Sequence, residues 1–144
     1  MIIDLDRSLP LRLPFLHSLA VRYCETDRMG VAHHGSYVDW LEAARTEWLK
    51  ANGASYRALE DDGHLLLVVE VAIRYVASVT YDDAISVRTG LLDSSRATIT
   101  VGYEVHRVED SRLVARGYTT LAAANRSGRP QRLPTVVQEL IARS

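Results

Sequence analysis

The sequence predicts an α+β protein, one long amphipathic helix laid against antiparallel strands. Three observations carry this. Tyr37, Trp40, Leu41, Ala44, Trp48 and Leu49 recur at helical spacing on one face. Beyond Gly63, apolar and polar residues alternate in successive runs, as in strands buried on one side. Short polar clusters separate the last of these runs, which favours hairpins over crossover connections. A helix with two tryptophans on its apolar face needs a sheet to lie on.

The elements follow in order. Residues 1–16 read as an arm, because Pro10, Pro14 and mixed charges leave no sustained period. From His17, the residues His17, Leu19, Val21 and Tyr23 alternate with Ser18, Ala20, Arg22 and Cys24, giving a first strand. Residues 25–35 hold two glycines, two acids and two histidines without periodicity and read as an irregular loop. The helix begins at about Ser36, where Ser36 followed by Asp39 resembles a capping box, and Asn52-Gly53 stops it. Residues 55–62 supply one or two further helical turns. Strands are expected over 69–75, 85–91, 97–105 and 113–124, the last three as a meander. Residues 126–134 form a loop rich in arginine, and 134–144 a short C-terminal helix. No repeat divides the chain, so 1–144 is read as one domain.

Composition narrows the function. The chain has 144 residues, 47% hydrophobic and 24% charged, the balance of a folded globular protein. Lys and Arg number 17 against 18 Asp and Glu, a net charge of −1, which excludes a strongly basic body that coats nucleic acid. The single cysteine, Cys24, excludes an intrachain disulfide and a Cys-rich zinc site. No apolar run approaches the roughly 20 residues that span a bilayer. The acidic start at Asp4 and Asp6, with Pro10, Arg12 and Pro14 after it, makes a poor secretory signal, so a cytoplasmic protein is expected.

The chemistry is concentrated between Tyr23 and Tyr37. Asp27 sits in a loop just before the helix, where unpaired N–H groups and a partial positive charge collect. Gly30 and Gly35 let the backbone turn tightly or approach a ligand. A carboxylate, a set of oxyanion donors and His34 within this span suit acyl transfer; the plainer alternative is that Asp27 closes an Asx turn. His33 and His34 are adjacent and lack the spacing that puts two ligands on one helical face, so no metal site is expected. Glu42 and Arg45 are spaced for an i, i+3 ion pair, with Glu42 as a second pocket carboxylate the alternative. Trp40 and Trp48 read as core or interface. Cys24 has no legible partner that would make it a nucleophile.

Tyr23, Thr26-Asp27, Gly30-Val31, His34, Tyr37, Glu42 and Arg45 fit Y-x-x-T-D-x-x-G-x-x-x-H-x-x-Y-x-x-x-x-E-x-x-R. This resembles the hotdog-fold acyl-CoA thioesterases, in the branch of 4-hydroxybenzoyl-CoA thioesterase and the Tol–Pal-associated thioesterases. Ile73-Arg74-Tyr75, Tyr81-Asp82-Asp83, Ala115-Arg116-Gly117 and Gly128-Arg129-Pro130 extend it over most of the chain. The resemblance implies a hotdog fold, an antiparallel sheet of about five strands wrapped around the helix. It implies hydrolysis of an acyl-CoA to a carboxylic acid and free coenzyme A. Asp27 matches the catalytic carboxylate, as nucleophile or general base. His34 matches the position whose backbone N–H polarises the thioester carbonyl, and Tyr23 a residue near the pocket. Gly30, Tyr37 and Glu42 are expected to meet substrate. Homodimers or homotetramers with active sites at the dimer interface are implied, and no metal or bound cofactor. The basic loop around Arg126 and Arg129 suits the phosphates of coenzyme A, since arginine binds phosphate bidentately. Two departures stand out. Ser78-Val79-Thr80 replaces the Pro-Ala-Arg run of many relatives, and His33 replaces an aromatic or aliphatic residue. An acyl-carrier-protein thioesterase, a hydroxyacyl dehydratase and a non-catalytic acyl-CoA binding domain remain as alternatives.

Overall fold

A computed structural model describes residues 2–144. Met1, counted above with the arm, lies outside the described residues. The elements are β1 (Arg12–Ala20), a 3-10 turn (Tyr23–Glu25), α1 (Ser36–Ala51), α2 (Tyr56–Asp61), β2 (His64–Tyr75), β3 (Ala84–Ser94), β4 (Thr98–Arg107), β5 (Arg112–Asn125) and α3 (Thr135–Arg143). The five strands form one sheet in the order β1-β3-β4-β5-β2. Every neighbouring pair is antiparallel, with β3, β4 and β5 in the expected meander and β1 and β2 at the edges.

The apolar face of α1 is buried as its spacing requires. Tyr37, Trp40, Leu41, Ala44, Trp48 and Leu49 join Ile85, Val87, Leu91, Ile99, Val101, Tyr103, Val105 and Leu121 in one core, closed by Val137 and Leu140 of α3. The C-terminal stop is as read: Asn52 Nδ2 donates to the Trp48 carbonyl at 2.8 Å, and Gly53 takes φ +83°. The N-terminus is not. Gly35 occupies the cap position without a side-chain cap. Ser36 instead donates its hydroxyl to the Glu25 carbonyl at 3.0 Å, which ties the helix to the preceding loop, so no capping box with Asp39 forms.

The expected Glu42–Arg45 ion pair is also replaced. Arg45 is 5% exposed and turns inward, where Nε donates to the Tyr56 hydroxyl at 2.8 Å and Nη1 to the Tyr103 hydroxyl at 3.1 Å. A buried guanidinium needs acceptors, and these hydroxyls supply them. Glu42 remains on the exposed side.

Both edge strands are longer than their alternation suggests. β1 starts at Arg12 rather than His17, within what the sequence shows as arm. A bulge between Arg12 and Phe15 takes Leu13 to φ 51° and leaves Pro14 out of the ladder, which an edge strand tolerates. The Trp48 indole donates to the Leu13 carbonyl at 2.8 Å and holds the bulge in place. β1 also ends earlier: Tyr23 and Cys24 lie in the 3-10 turn, not in the strand. β2 starts at His64, because the unbroken apolar run before Glu70 hides the period and a bulge between Val68 and Glu70 resets it.

The rest of the arm is a strap across the sheet face opposite α1. Leu9, Leu11 and Leu92 form a second apolar cluster with Ile3, Leu5 and Tyr118. Gly90 and Gly102 pair directly across β3 and β4, and together they leave the hollow that Leu11 fills. The Leu9 amide donates to Glu104 at 3.2 Å, and Arg74 meets Asp6 at 2.9 Å. Glu104 is also bracketed by Arg88 and Arg116 at 3.1 and 2.8 Å. Gly102→Val is expected to displace the strap. A Cβ at that position would stand 2.7 Å from both Leu11 Cδ2 and Leu92 Cδ1. Overpacking of this kind costs about 1–3 kcal/mol. Limited proteolysis should then cut within residues 2–11 faster than in the wild type, and unchanged protection would show that the strap is held elsewhere.

Candidate active site

The loop between β1 and α1 is built around one buried acid, Glu25. Its carboxylate accepts from the Arg22 amide and the Trp40 indole, each at 2.8 Å, and from the Arg22 guanidinium at 3.4 Å. Burial alone would raise the Glu25 carboxyl; these hydrogen bonds outweigh it and hold the group below its ordinary value. Its carbonyl accepts from the His33 amide at 2.7 Å and from Ser36. Glu25 thus fixes both ends of the loop.

Within it, Thr26 bridges to Ala32, and Val31 to Thr80 of the segment before β3. The Asp27 amide donates to the Val31 carbonyl, and Gly30 to the Asp27 carbonyl. Gly30 takes φ +79° to close this turn. Asp27 Oδ1 accepts the Met29 amide at 2.8 Å, so the Asx turn does form. Among the described residues Oδ2 accepts no hydrogen bond, and one oxygen is therefore left for chemistry.

Asp27 opens onto a cleft of about 450 Å³, which it shares with Ala32, His34, Tyr37, Tyr75, Val76, Ala77 and Ser78. The backbone at His34 is held by its carbonyl, which accepts from the Tyr75 hydroxyl at 2.9 Å and from the Tyr37 amide at 3.3 Å. Its N–H donates to no acceptor among the described residues. It lies at the start of α1, where the helix contributes positive potential. The Tyr37 ring packs edge-on against Tyr75 with centroids 4.9 Å apart. Burial, with a smaller contribution from Tyr75, pushes the Tyr37 phenol up to about 12, so it enters the cleft as a neutral donor.

The cleft therefore unites Asp27, His34 and Tyr37 of the residues expected from sequence. Others lie apart from it. Tyr23 is 77% exposed and packs edge-on against Tyr81. Gly30 shapes the turn and does not line the cleft. Glu42 belongs to a separate cleft with Arg45, Tyr56, Leu66 and Val68. Arg126 donates to the carbonyls of Glu60 and Asp61 at the end of α2, which occupies its guanidinium. Arg129 is exposed; its amide donates to Asn125 Oδ1 and its carbonyl accepts the Asn125 amide, and among the described residues its guanidinium makes no hydrogen bond. Tyr75 and Glu25 are site-building residues that the spacing did not single out. The signal for Tyr75 was its place at the end of a strand alternation; for Glu25 there was none beyond an acid in an aperiodic loop. The described residues hold no cluster of His, Cys, Asp or Glu of metal-binding geometry.

Residues 21–141 match the model of the thioesterase-like superfamily. The chain belongs to this family. Among curated relatives of this thioesterase-like chain, an acyl-CoA thioesterase of Haemophilus influenzae, YbgC, is 34% identical over 86 residues, 59% of this chain and 63% of that protein. The match thus spans a little under two thirds of that relative. Among solved structures, a DHNA-CoA thioesterase from Staphylococcus aureus superposes with a TM-score of 0.86 at 28% identity, covering 90% of this chain and 89% of that one. A hypothetical protein from Thermus thermophilus superposes with a TM-score of 0.83 at 32% identity, covering 90% and 96%. The five-stranded sheet with α1 against it is the hotdog fold of these thioesterases. No helix among the described residues is long and apolar enough to cross a membrane.

Proposed function

We propose that the protein is an acyl-CoA thioesterase of the 4-hydroxybenzoyl-CoA and Tol–Pal-associated branch, acting in the cytoplasm. One observation carries the reading: the same cleft is lined by Asp27, with one oxygen that accepts no hydrogen bond among the described residues, and by His34, whose N–H has no acceptor among them. The His34 N–H receives the thioester carbonyl oxygen, where negative charge develops as the carbon becomes tetrahedral. Asp27 supplies the attacking oxygen or takes a proton from the attacking water. The C–S bond breaks and coenzyme A leaves as its thiol; with Asp27 as base the acyl group leaves directly as its acid, and with Asp27 as nucleophile it leaves when water hydrolyses the Asp27–acyl anhydride. Water is the only co-reactant, and neither metal nor bound cofactor takes part. Tyr75 holds the His34 peptide in place, and the Tyr37 phenol donates into the acyl slot.

The test is a panel of acyl-CoAs, short, long and aromatic, with free thiol read by a thiol-reactive dye. Turnover of at least one is expected. Silence towards every acyl-CoA, with turnover of acyl carrier protein thioesters or β-hydroxyacyl substrates, would overturn the assignment. Single turnover in ¹⁸O-water separates the two roles of Asp27, because only a nucleophilic carboxylate ends with label in its own side chain.

The active unit is a homodimer. Leu67, Val68, Val69 and Val71 are each more than 40% exposed on the open edge of β2, a surface that invites pairing. Two β2 edges related by a two-fold axis run antiparallel, so the His64 end of one approaches the Tyr75 end of the other. That brings the 126–132 loop of one subunit toward the cleft of its mate. Arg129 then meets the phosphates of coenzyme A. Arg129→Ala should raise KM several-fold and leave kcat within about twofold, because such contacts are alike in ground and transition states. A fall in kcat at constant KM would reject this role. Light scattering that finds an active monomer at micromolar concentration would reject the dimer.

A further inference from the structure

We propose that the His33 imidazole is a positioning group that sets the orientation of the His34 N–H by accepting the Gly35 amide. The proposal deepens the thioesterase reading and rests on it. His33 is clasped at three points: its amide donates to the Glu25 carbonyl at 2.7 Å, its carbonyl accepts from the Ser36 amide at 2.9 Å, and its Nδ1 accepts from the Gly35 amide at 3.0 Å. The backbone bonds hold the residue on either side of its own Cα. The imidazole bond closes a ring across the His33–His34 peptide, the unit that carries the His34 N–H. With Ser36 on the His33 carbonyl and Tyr75 on the His34 carbonyl, it fixes the backbone on both sides of the His34 N–H, in a residue that lines the cleft.

Two further observations agree. A Cβ on Gly35 would stand 3.1 and 3.2 Å from His33 Nδ1 and Cε1, so the ring comes down over a residue without a side chain. The ring also lies against that of His34, with centroids 4.1 Å apart. The adjacent histidines thus divide the work between a side chain and a backbone amide. No metal is involved.

The chemistry of the bond makes a specific demand. An imidazole nitrogen accepts only while it carries a lone pair, so His33 must be neutral with its proton on Nε2. Proton uptake turns Nδ1 into a donor facing a donor, and the clasp opens. The titratable groups on the elements that meet here are His34 beside it, Glu25 and Asp27 in the loop, Asp39 in the first turn of α1, and the Tyr75 phenol of β2. Substitution at position 33 isolates its share of any acid limb from theirs.

The experiment compares His33→Leu, which keeps bulk and loses the acceptor, with His33→Asn, whose Oδ1 can accept the amide two residues on as an Asx turn. Loss of a whole oxyanion donor costs about 10²–10³ in kcat, and a misdirected one should cost about tenfold. His33→Leu is expected to lower kcat about tenfold with KM within twofold, and His33→Asn to recover kcat to within about threefold. NMR of the wild type should find the His33 proton on Nε2, with the Gly35 amide resonance moving as His33 takes up a second proton. Equal kcat in the Leu and Asn variants, or a His33 proton on Nδ1, overturns the proposal. A wild type that turns over no acyl-CoA while showing the NMR signature defeats the function proposed above. A wild type that turns over substrate beside an indifferent Leu variant defeats this inference alone.

Discussion

Asp27→Asn should abolish turnover and leave the fold intact. The two oxygens of Asp27 have separate duties. Oδ1 accepts the Met29 amide and closes the turn, and Oδ2 accepts no hydrogen bond among the described residues, in a side chain that lines the cleft. Asparagine keeps an acceptor for Met29, so the turn and the His34 peptide beyond it survive. Its amide nitrogen can neither attack a thioester nor take a proton from water. The loss in kcat should be about 10²-fold at least, and larger if Asp27 is the nucleophile. Substrate should bind about as tightly as before, since asparagine keeps the size of the side chain and the turn. Measured beside the melting temperature, kcat within about threefold of the wild type rejects Asp27 as the catalyst. A collapsed melting temperature would show that its duty is the turn.

Glu25→Ala should be the most damaging single change to the loop. The side chain is 6% exposed and accepts both the Trp40 indole and the Arg22 amide at 2.8 Å. Each donor stranded in a buried setting costs about 1–3 kcal/mol. Together they should remove about 3 kcal/mol and lower Tm by roughly 10 °C. The loss should depend on pH. The folded protein holds the Glu25 carboxyl below its ordinary value, so its share of stability is present above the unfolded carboxylate range and fades as pH falls through the folded one. The gap between wild type and variant should therefore narrow in acid. Turnover should fall as well, by about tenfold, because the loop that presents the His34 N–H is anchored at Glu25, and small displacements at a reacting centre are costly. A variant with unchanged Tm would mean that water replaces the carboxylate at no cost.

What the sequence makes legible follows from periodicity. α1 has apolar residues at helical spacing and a glycine stop, and its boundaries fall where those signals put them. The meander of β3, β4 and β5 is also legible, since apolar residues alternate along its strands and polar turns divide them. The edge strands are not, because neither period nor propensity describes a bulge. Leu13 and Pro14 break the pattern of β1, and the run from Leu65 to Val69 masks that of β2. The site divides the same way. Asp27, His34 and Tyr37 lie close together in the chain, so a short motif finds them. Tyr75 reaches the His34 carbonyl across 41 residues, and Arg45 reaches Tyr103 across 58. Such partners are fixed by the folded sheet, and local spacing carries no trace of them. Arg126, read as a phosphate ligand, also has a partner that local spacing does not show: its Nη2 donates to two carbonyls at the end of α2.

The strap across the sheet also sets an order of events. Leu9 docks on Glu104, 95 residues further along the chain, and Leu11 fills a hollow framed by Gly90 and Gly102. The strap leaves the ribosome before any of its receptors exists. Ile3, Leu5, Leu9 and Leu11 must therefore stay in water, or in the grip of a chaperone, until β3, β4 and β5 have been made and paired. Seating the strap closes a loop of 95 residues and so belongs late in folding, after the meander has formed. Nascent chains halted before β4 should carry an apolar segment with nowhere to go, and the finished protein hides it by an act of its own last-made strands.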